Sequence, residues 1–194
     1  WRSVVQATGP YYCENVKTDV YAAYTNNNYT GAMRGFGSPQ VNFAIESMMD
    51  ELAEEVGVSP LEIRLKNGFE TGAVTATGQR LTHTVSLKEV LTKAAQAIEF
   101  EKKWKRYREA GDGEKKRGVG LACSYRGVSL GAEGADAAET IVSVQTDGSV
   151  IVSSGVTDMG QGAQTQMSQI TAEVLGISRD RIQFLNTNTS RVAD

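Results

Sequence analysis

Residues 31–40 read Gly31-Ala32-Met33-Arg34-Gly35-Phe36-Gly37-Ser38-Pro39-Gln40 and set how the first half of the chain is built. The glycines permit positive φ angles and close approach of another group. Arg34 offers a planar fork of donors that suits an anion or a carbonyl, and Phe36 offers a flat apolar face. Ser38 and Pro39 suit the N-cap and first position of a helix. On residue types alone, this Arg34 loop (residues 31–37) is as compatible with a structural turn as with a binding loop.

A second glycine-flanked loop far downstream favours binding. Residues 157–162 read Thr157-Asp158-Met159-Gly160-Gln161-Gly162, with an amide side chain near the centre and a predicted helix directly after it. We call this segment the Gln161 loop. Backbone N–H groups at a helix start attract anionic or acceptor groups. Two such loops in one chain therefore indicate a site for a polar ligand.

Composition excludes several function classes. Of the 194 residues, 40% are hydrophobic and 22% charged, which is typical of a soluble globular protein. The net charge of −3 gives no support for binding nucleic acid or an anionic membrane, and no apolar run approaches the length of a membrane span. Cys13 and Cys123 are too few for a disulfide framework, so we expect a cytoplasmic protein. With His83 as the sole histidine, a protein-ligated zinc site is not expected.

Apolar periodicity and capping residues predict three helices in the first half of the chain, in addition to the helix after the Gln161 loop. The first covers 39–56 and ends at Gly57; the second begins at the Ser59–Glu62 capping box and ends at Asn67-Gly68. The third follows a second capping box at Ser86. The basic stretch 101–117 is better explained as a solvated helix and loop than as an RNA-binding face, because no stacking fold accompanies it.

Strand signals dominate the second half of the chain. Asp147-Gly148 between two β-branched runs predicts a hairpin. Strands are predicted near 15–25 and at 119–124, 140–145, 150–154 and 182–185. The sequence thus predicts an α+β, mixed layered fold of helices on a β-sheet. Residues 1–115 would carry the Arg34 loop and helices, and residues 116–194 the hairpin, the Gln161 loop and its helix.

Several motifs occur in the order of a known family. Over nearly its whole length the chain resembles the molybdenum-binding subunit of the xanthine dehydrogenase/aldehyde oxidase family of molybdopterin hydroxylases. The motifs that carry the resemblance are Gly9-Pro10-Tyr11, Met33-Arg34-Gly35-Phe36-Gly37-Ser38-Pro39-Gln40, Glu62-Ile63-Arg64-Leu65-Lys66-Asn67, Asp147-Gly148-Ser149 and Met159-Gly160-Gln161-Gly162. The resemblance identifies the chain as an internal segment of such a subunit, within its molybdenum-binding domain.

The resemblance also implies roles for individual residues. Arg34 and Gly35 would lie beside the molybdenum and its pterin, and three residues of the other loop, Met159, Gly160 and Gln161, would also bind the cofactor. Phe36 would stack on an aromatic substrate. The remaining substrate-binding assignments are Leu130 and Gly131 on the opposite wall and Arg2 as a substrate-orienting arginine. No protein side chain would ligate the metal directly, because the dithiolene sulfurs of the pterin hold it.

The activity implied is oxidation of a heteroaromatic (purine- or nicotinate-like) or aldehyde substrate with water as oxygen source. The cofactor would be molybdopterin, expected in a dinucleotide form, with iron–sulfur clusters and FAD in other domains or subunits. Partners would be the rest of the molybdenum subunit, those redox units and a small-molecule substrate, with no nucleic acid and no membrane. The catalytic glutamate of the family has no counterpart here, so no catalytic residue is assigned and the isolated chain is expected to be inactive.

Two departures from the family pattern narrow the expected substrate. Purine-oxidising members place a phenylalanine where this chain has Leu130, so a two-sided aromatic sandwich is not expected. Carbon monoxide dehydrogenase-like members have a cysteine where this chain has Gly35, which argues against carbon monoxide oxidation. A second hypothesis stays open: a non-catalytic, cofactor-free binding or assembly domain of the same fold.

Overall fold

The protein is described by a computed structural model that covers residues 2–31, 33–109, 115–127, 134 and 137–191. The chain forms two compact units, residues 1–126 and 127–194. In the first unit the described helices are α1 (Arg2–Val5), α2 (Ser38–Glu55), α3 (Pro60–Asn67), α4 (Leu87–Ala97) and α5 (Phe100–Glu109). The second contains strands β1 (Thr140–Val144), β2 (Val150–Ser154) and β3 (Ile182–Phe184), with α6 (Ala163–Leu175) between the last two strands.

Helix boundaries in the first unit follow local signals. At Gly57, φ is +71°, and Val58 N–H donates to Ala53 O (3.0 Å), which closes the end of α2 as predicted. Ser59 Oγ accepts the N–H of Glu62 (3.1 Å), which confirms the predicted start of α3. At Ser86 the predicted helix forms, but the serine side chain makes no capping hydrogen bond.

The core of the first unit lies among α2, α3, α4 and two segments without regular structure. Its buried members are Tyr11, Met49, Ala53, Ile63, Leu91 and Cys123. Tyr11 and Cys123 come from those irregular segments, on either side of the helices in sequence. The core therefore joins the segment before the Arg34 loop to the segment 115–127, more than 100 residues later.

Two strand predictions in this unit are wrong. Residues 16–25 form no strand, and nearly all of them are exposed. Residues 119–124 form no strand either, and the backbone N–H of Cys123 donates to the carboxylate of Glu46 and not to a neighbouring strand. A β-branched pattern indicates only that a segment suits a sheet, and a strand also needs a partner for its backbone groups.

The second unit contains the predicted hairpin and final strand. β1 and β2 pair antiparallel around Asp147-Gly148, where Gly148 takes φ +79°, and β3 pairs parallel to β2. Val150 and Val152 are almost fully buried on β2, and α6 packs on β3. Helices plus a small sheet agree with the predicted mixed α+β fold. The predicted division of the chain into residues 1–115 and residues 116–194 stays a prediction.

Candidate cofactor and substrate site

The Arg34 loop makes a tight turn through three consecutive residues with positive φ. Gly35, Phe36 and Gly37 have φ of +110°, +50° and +101°. Phe36 N–H donates to Met33 O (2.8 Å) and Ser38 N–H to Gly35 O (3.0 Å). Phe36 is the one residue of the three that is not glycine, and the left-handed backbone conformation is unfavourable for a bulky side chain. The turn leaves the side chains of Arg34 and Phe36 exposed while it buries Gly35.

Helix α1 holds this loop from a distance of more than thirty residues in sequence. Ser3 Oγ donates to Gly37 O (3.0 Å), and the Ser38 hydroxyl donates to the side-chain oxygen of Gln6. Ser38 is therefore the first helical residue, not the N-cap as predicted, and Gly37 occupies the cap position. Arg2 lies in α1 with 5% of its surface exposed. The role of Arg2 toward substrate stays a prediction.

Gly35 is required by its surroundings as well as by its φ angle. A Cβ on residue 35 would lie 2.6 Å from Cδ of Pro39, at the start of α2, well inside van der Waals contact. The same position lies 3.6 Å from Nη1 of Arg126. A cysteine at residue 35 would therefore strain the backbone and require the loop or the Pro39 ring to shift.

A groove of about 630 Å³ runs from the Arg34 loop along α2. Its lining includes Arg34, Asn42, Phe43, Ser47, Tyr125 and Arg126. Arg126 was not singled out from the sequence, because one arginine before a Gly/Ala-rich segment gives no local signal of a site. Its position beside Gly35 depends on contacts between residues far apart in the chain.

Glu46 of α2 fixes the segment that carries Arg126. Its carboxylate accepts hydrogen bonds from the Tyr11 hydroxyl (2.5 Å), from Arg64 Nε (2.8 Å) and from Cys123 N–H (2.9 Å). Arg64 also donates to Asp50 Oδ1 (2.7 Å). These bonds connect α2, α3 and both irregular segments through one buried carboxylate, so Glu46 and Arg64 are structural residues beneath the groove.

The buried network changes the acidity of its members. Burial, together with the hydrogen bond to Glu46, raises the pKa of Tyr11 well above its ordinary value. Burial also raises the pKa of the Cys123 thiol. For Arg64, burial acts to lower the pKa, but the hydrogen bonds to Glu46 and Asp50 outweigh it, and the net shift is upward. Arg64 and Tyr11 therefore both stay protonated at neutral pH.

The Gln161 loop is held by its own side chains. Asp158 accepts N–H groups from Gly160 (2.6 Å) and Ala163 (2.7 Å), so its carboxylate caps the start of α6. Gln161 Oε1 accepts the N–H of Met159 (2.7 Å), and its Nε2 donates to Thr157 O (2.8 Å). These hydrogen bonds fix the backbone of the loop from within.

The groups of the Gln161 loop that are predicted to bind the cofactor are engaged in hydrogen bonds within the loop. The N–H groups of Met159 and Gly160, and the amide of Gln161, already have partners within the loop. A ligand bound through these groups would have to exchange with those internal hydrogen bonds. The remaining predicted substrate residues, Leu130 and Gly131, lie outside the described residues.

Within the part of the chain that the structure describes, no three His, Cys, Asp or Glu side chains form a group suited to a metal ion. Among the same residues, no helix is both long and apolar enough to cross a bilayer.

Comparison with known proteins places the chain among molybdopterin-binding segments. Two family profiles, each described as a molybdopterin cofactor-binding domain, match residues 1–68 and 93–194, and the second alone exceeds half of the chain. The chain is 38% identical over 170 residues to a xanthine dehydrogenase molybdenum-binding subunit of Escherichia coli O157:H7, covering 87% of this chain and 22% of that protein.

Two further proteins of the same kind are similar to this chain. The nicotinate dehydrogenase large molybdopterin subunit of Eubacterium barkeri is 45% identical over 93 residues, which is 48% of this chain and 22% of that subunit. The solved aldehyde oxidoreductase of Desulfovibrio gigas superposes with a TM-score of 0.69 at 32% identity, over 82% of this chain and 17% of that one. The chain thus spans less than a quarter of each of these relatives. It belongs to the molybdopterin cofactor-binding family and corresponds to a segment of the molybdenum-binding part of xanthine dehydrogenase/aldehyde oxidase proteins.

Proposed function

We propose that this chain is part of a molybdenum hydroxylase that oxidises a heteroaromatic (purine- or nicotinate-like) or aldehyde substrate with water as oxygen source. It would contribute one part of the molybdopterin cleft and one part of the substrate cleft. The observation that carries the proposal is the Arg34 loop, which presents a guanidinium and an aromatic ring outward at the start of α2 while Ser3 holds its backbone. The family membership of both chain halves supports the same proposal.

The residues present fit a large polar cofactor. Arg34 supplies a charged donor, and the glycine-rich backbone beside it allows close approach. The Gln161 loop would contribute donors by exchanging its internal hydrogen bonds for bonds to the pterin. When bound, molybdopterin with molybdenum supplies the two-electron oxidation that this chain's own side chains do not provide. Residues Arg34, Gly35, Met159, Gly160 and Gln161 would hold it, and Phe36, Arg2, Leu130 and Gly131 would face substrate.

The proposal extends to the context of the enzyme. We expect a dinucleotide form of the pterin and a cytoplasmic location. Electrons would leave through iron–sulfur clusters and FAD in other domains or subunits, and the remaining molybdenum-subunit segments would complete the site. The general base would come from one of those segments.

The decisive experiment compares two exposed arginines in the full-length enzyme. Arg34→Ala removes the guanidinium of the loop, and Arg106→Ala removes an exposed guanidinium from α5 that does not line the groove beside the Arg34 loop. Losing a charged donor in a closed site costs about 2–4 kcal/mol of transition-state stabilisation, so kcat/KM should fall about 30- to 1000-fold for Arg34→Ala. Arg106→Ala should stay within about twofold of wild type.

Molybdenum and pterin content and thermal unfolding are measured on the same samples. Normal stability with a large loss for Arg34→Ala alone supports the proposal, and Arg34→Lys should recover part of the activity. Equal kinetics for the two alanine variants would reject it. Absence of molybdenum and pterin from the wild-type enzyme would instead favour the cofactor-free binding domain.

Phe36 provides a test of substrate class. Its ring is 52% exposed, so it is available to stack on a flat ligand. Stacking contributes about 0.5–1.5 kcal/mol to an aromatic ring beyond area burial. Phe36→Ala should therefore lower kcat/KM for heteroaromatic substrates more than for small aliphatic aldehydes. A uniform loss over both classes would mean that Phe36 only supports the left-handed turn in which it sits.

A further inference from the structure

Arg126 stands at the rim of the groove beside the Arg34 loop, and nothing in the assigned site uses it. Its Nη1 lies 3.6 Å from the Cβ position of Gly35, and both Arg34 and Arg126 line the same groove. Among the described residues, the exposed Arg126 guanidinium has neither a hydrogen bond nor an ion pair. Its five donors are thus available to a ligand in the groove.

The walls of the groove define which ligand suits it. Phe43 is 77% exposed and lines the same groove as the two arginines, whereas the ring of Tyr125 packs edge-on against Phe69 (centroids 5.7 Å apart), so Phe43 supplies the open aromatic face. Flat rings favour such surface, while the planar fork of arginine matches the two oxygens of a carboxylate. A planar ring that bears a carboxylate satisfies both conditions in one molecule.

Acidic side chains in the same groove do not oppose this preference. Glu46 is buried and bound to Arg64, and Asp50 accepts a second bond from Arg64. Arg64 thus pairs with both of these acidic groups along α2, whereas Arg126 lies at the loop end of the groove, where its guanidinium favours an anion.

The backbone also preorganises Arg126. Cys123 is 5% exposed, and its N–H is held by Glu46 three residues before Arg126. Tyr125 is half-buried, and burial raises the pKa of its hydroxyl, consistent with a tyrosine packed into the unit. An arginine on a segment anchored in this way loses less conformational entropy when it binds.

We propose that Arg126 is a specificity-determining residue that binds the carboxylate of a ring-carboxylate substrate at the Arg34 end of the groove. That the ligand is a substrate rests on the proposed function, whereas the binding of a ring carboxylate depends only on the residues of the groove. The anionic oxygens could alternatively belong to a phosphate of the cofactor, and the experiment separates these two sources.

The test titrates the full-length protein with pyridine-3-carboxylate and with pyridine-3-carboxamide by calorimetry. The two probes share size and ring and differ in charge. Arg126→Gln should weaken carboxylate binding about tenfold and change carboxamide binding less than about twofold, as expected for loss of an exposed charge-assisted hydrogen bond. Arg126→Lys should give an intermediate loss, and Arg106→Gln, with the same charge change on α5, should have no effect.

Each other outcome overturns the inference. Equal weakening of both probes would mean that Arg126 acts through the fold, and unchanged binding would mean that it does not contact the ligand. A drop in pterin content of Arg126→Gln would assign the anionic oxygens to the cofactor. Failure of the proposed function is seen separately, as absence of turnover of any ring or aldehyde by the wild-type enzyme while the difference between the probes persists.

Discussion

The Arg34 loop and the Gln161 loop both end in a glycine with positive φ at the start of a long helix, Gly37 before α2 and Gly162 before α6. They differ in what holds them. The Arg34 loop is secured by α1 through Ser3, from a distant part of the sequence. The Gln161 loop is secured by Asp158 and Gln161, within the loop itself.

The difference shows that two loops with one backbone design can depend on very different parts of a protein. The Gln161 loop should keep its shape whenever α6 forms, because its supporting bonds span at most five residues. The Arg34 loop should keep its shape only while the core beneath α2 is intact. Substitutions in that core should therefore disturb one loop and spare the other.

The largest expected effect is on the buried ion pair beneath α2. Arg64→Met leaves the Glu46 carboxylate buried without its cation, which typically costs about 3–5 kcal/mol of unfolding free energy. Urea unfolding followed by tryptophan fluorescence measures the loss. Hydrogen exchange should show faster opening at Ser38 and unchanged protection at Gly160, and equal acceleration at both sites would contradict the separation of the two loops.

Part of that loss should be recoverable. In the double variant Arg64→Met with Glu46→Gln, no buried charge remains at residue 46, and Asp50, whose side chain is half exposed, keeps access to water, so the cost should be smaller than for Arg64→Met alone. Arg106→Met is the matched control, because its guanidinium lies on the exposed surface of α5. A control that destabilised as much as Arg64→Met would show that loss of positive charge, and not burial, is responsible.

Matched glycine substitutions give the next largest effect. Gly35→Ala combines an unfavourable φ with a Cβ 2.6 Å from the Pro39 ring, whereas Gly162→Ala meets no atom within 4 Å and has φ +75°. We expect a loss of about 3 kcal/mol for Gly35→Ala and about 1 kcal/mol for Gly162→Ala. Thermal unfolding of both variants measures the difference, and similar losses would mean that the ring of Pro39 moves aside easily.

A smaller effect is expected from the cap of the Gln161 loop. Asp158→Ala removes the acceptor of two backbone N–H groups and should cost about 1–2 kcal/mol. Asp158→Asn keeps an acceptor without the charge and should lose about half as much. Hydrogen exchange at Gly160 and Ala163 reports the effect directly. Unchanged protection there in Asp158→Ala would show that Gln161 alone maintains the loop.

The smallest effect at neutral pH concerns Tyr11, and the stability that this side chain contributes declines at high pH. Tyr11→Phe removes one hydrogen bond to Glu46, worth about 1 kcal/mol. Because the pKa of Tyr11 is raised in the folded protein, the unfolded chain releases this proton first, near its ordinary pKa of about 10. The stability that Tyr11 contributes is complete below that pH and declines above it.

Urea unfolding between pH 8 and pH 11 tests this sign. The unfolding free energy of the wild type should fall more steeply above about pH 10 than that of Tyr11→Phe. Tyr21→Phe, a change to a side chain that is 88% exposed, should leave the wild-type slope unaltered. Parallel slopes for the wild type and Tyr11→Phe would show that Tyr11 is not the responsible proton.

Elements with local signals could be predicted from the sequence, and those that depend on partners could not. Apolar spacing and the glycine after residue 56 predict α2, and Asp147-Gly148 predicts the hairpin, because turn and cap chemistry act over a few residues. The segments 16–25 and 119–124 have strand-like composition, but whether they pair depends on distant chain. Both loops were recognisable as sequence motifs. Arg126 was not, because its place in the groove depends on Glu46, which holds the backbone of Cys123, and on the packing of Arg126 beside Gly35.

The ring of Pro39 fills the space where a side chain on residue 35 would begin, and the φ of +110° at residue 35 disfavours such a side chain independently. A reactive cysteine at residue 35 would therefore require both a replacement of Pro39 and a new backbone conformation of the loop. A directed-evolution library that randomises residue 35 alone should return glycine, and new chemistry at this loop becomes reachable only when its neighbouring residues vary together with residues 35 and 39.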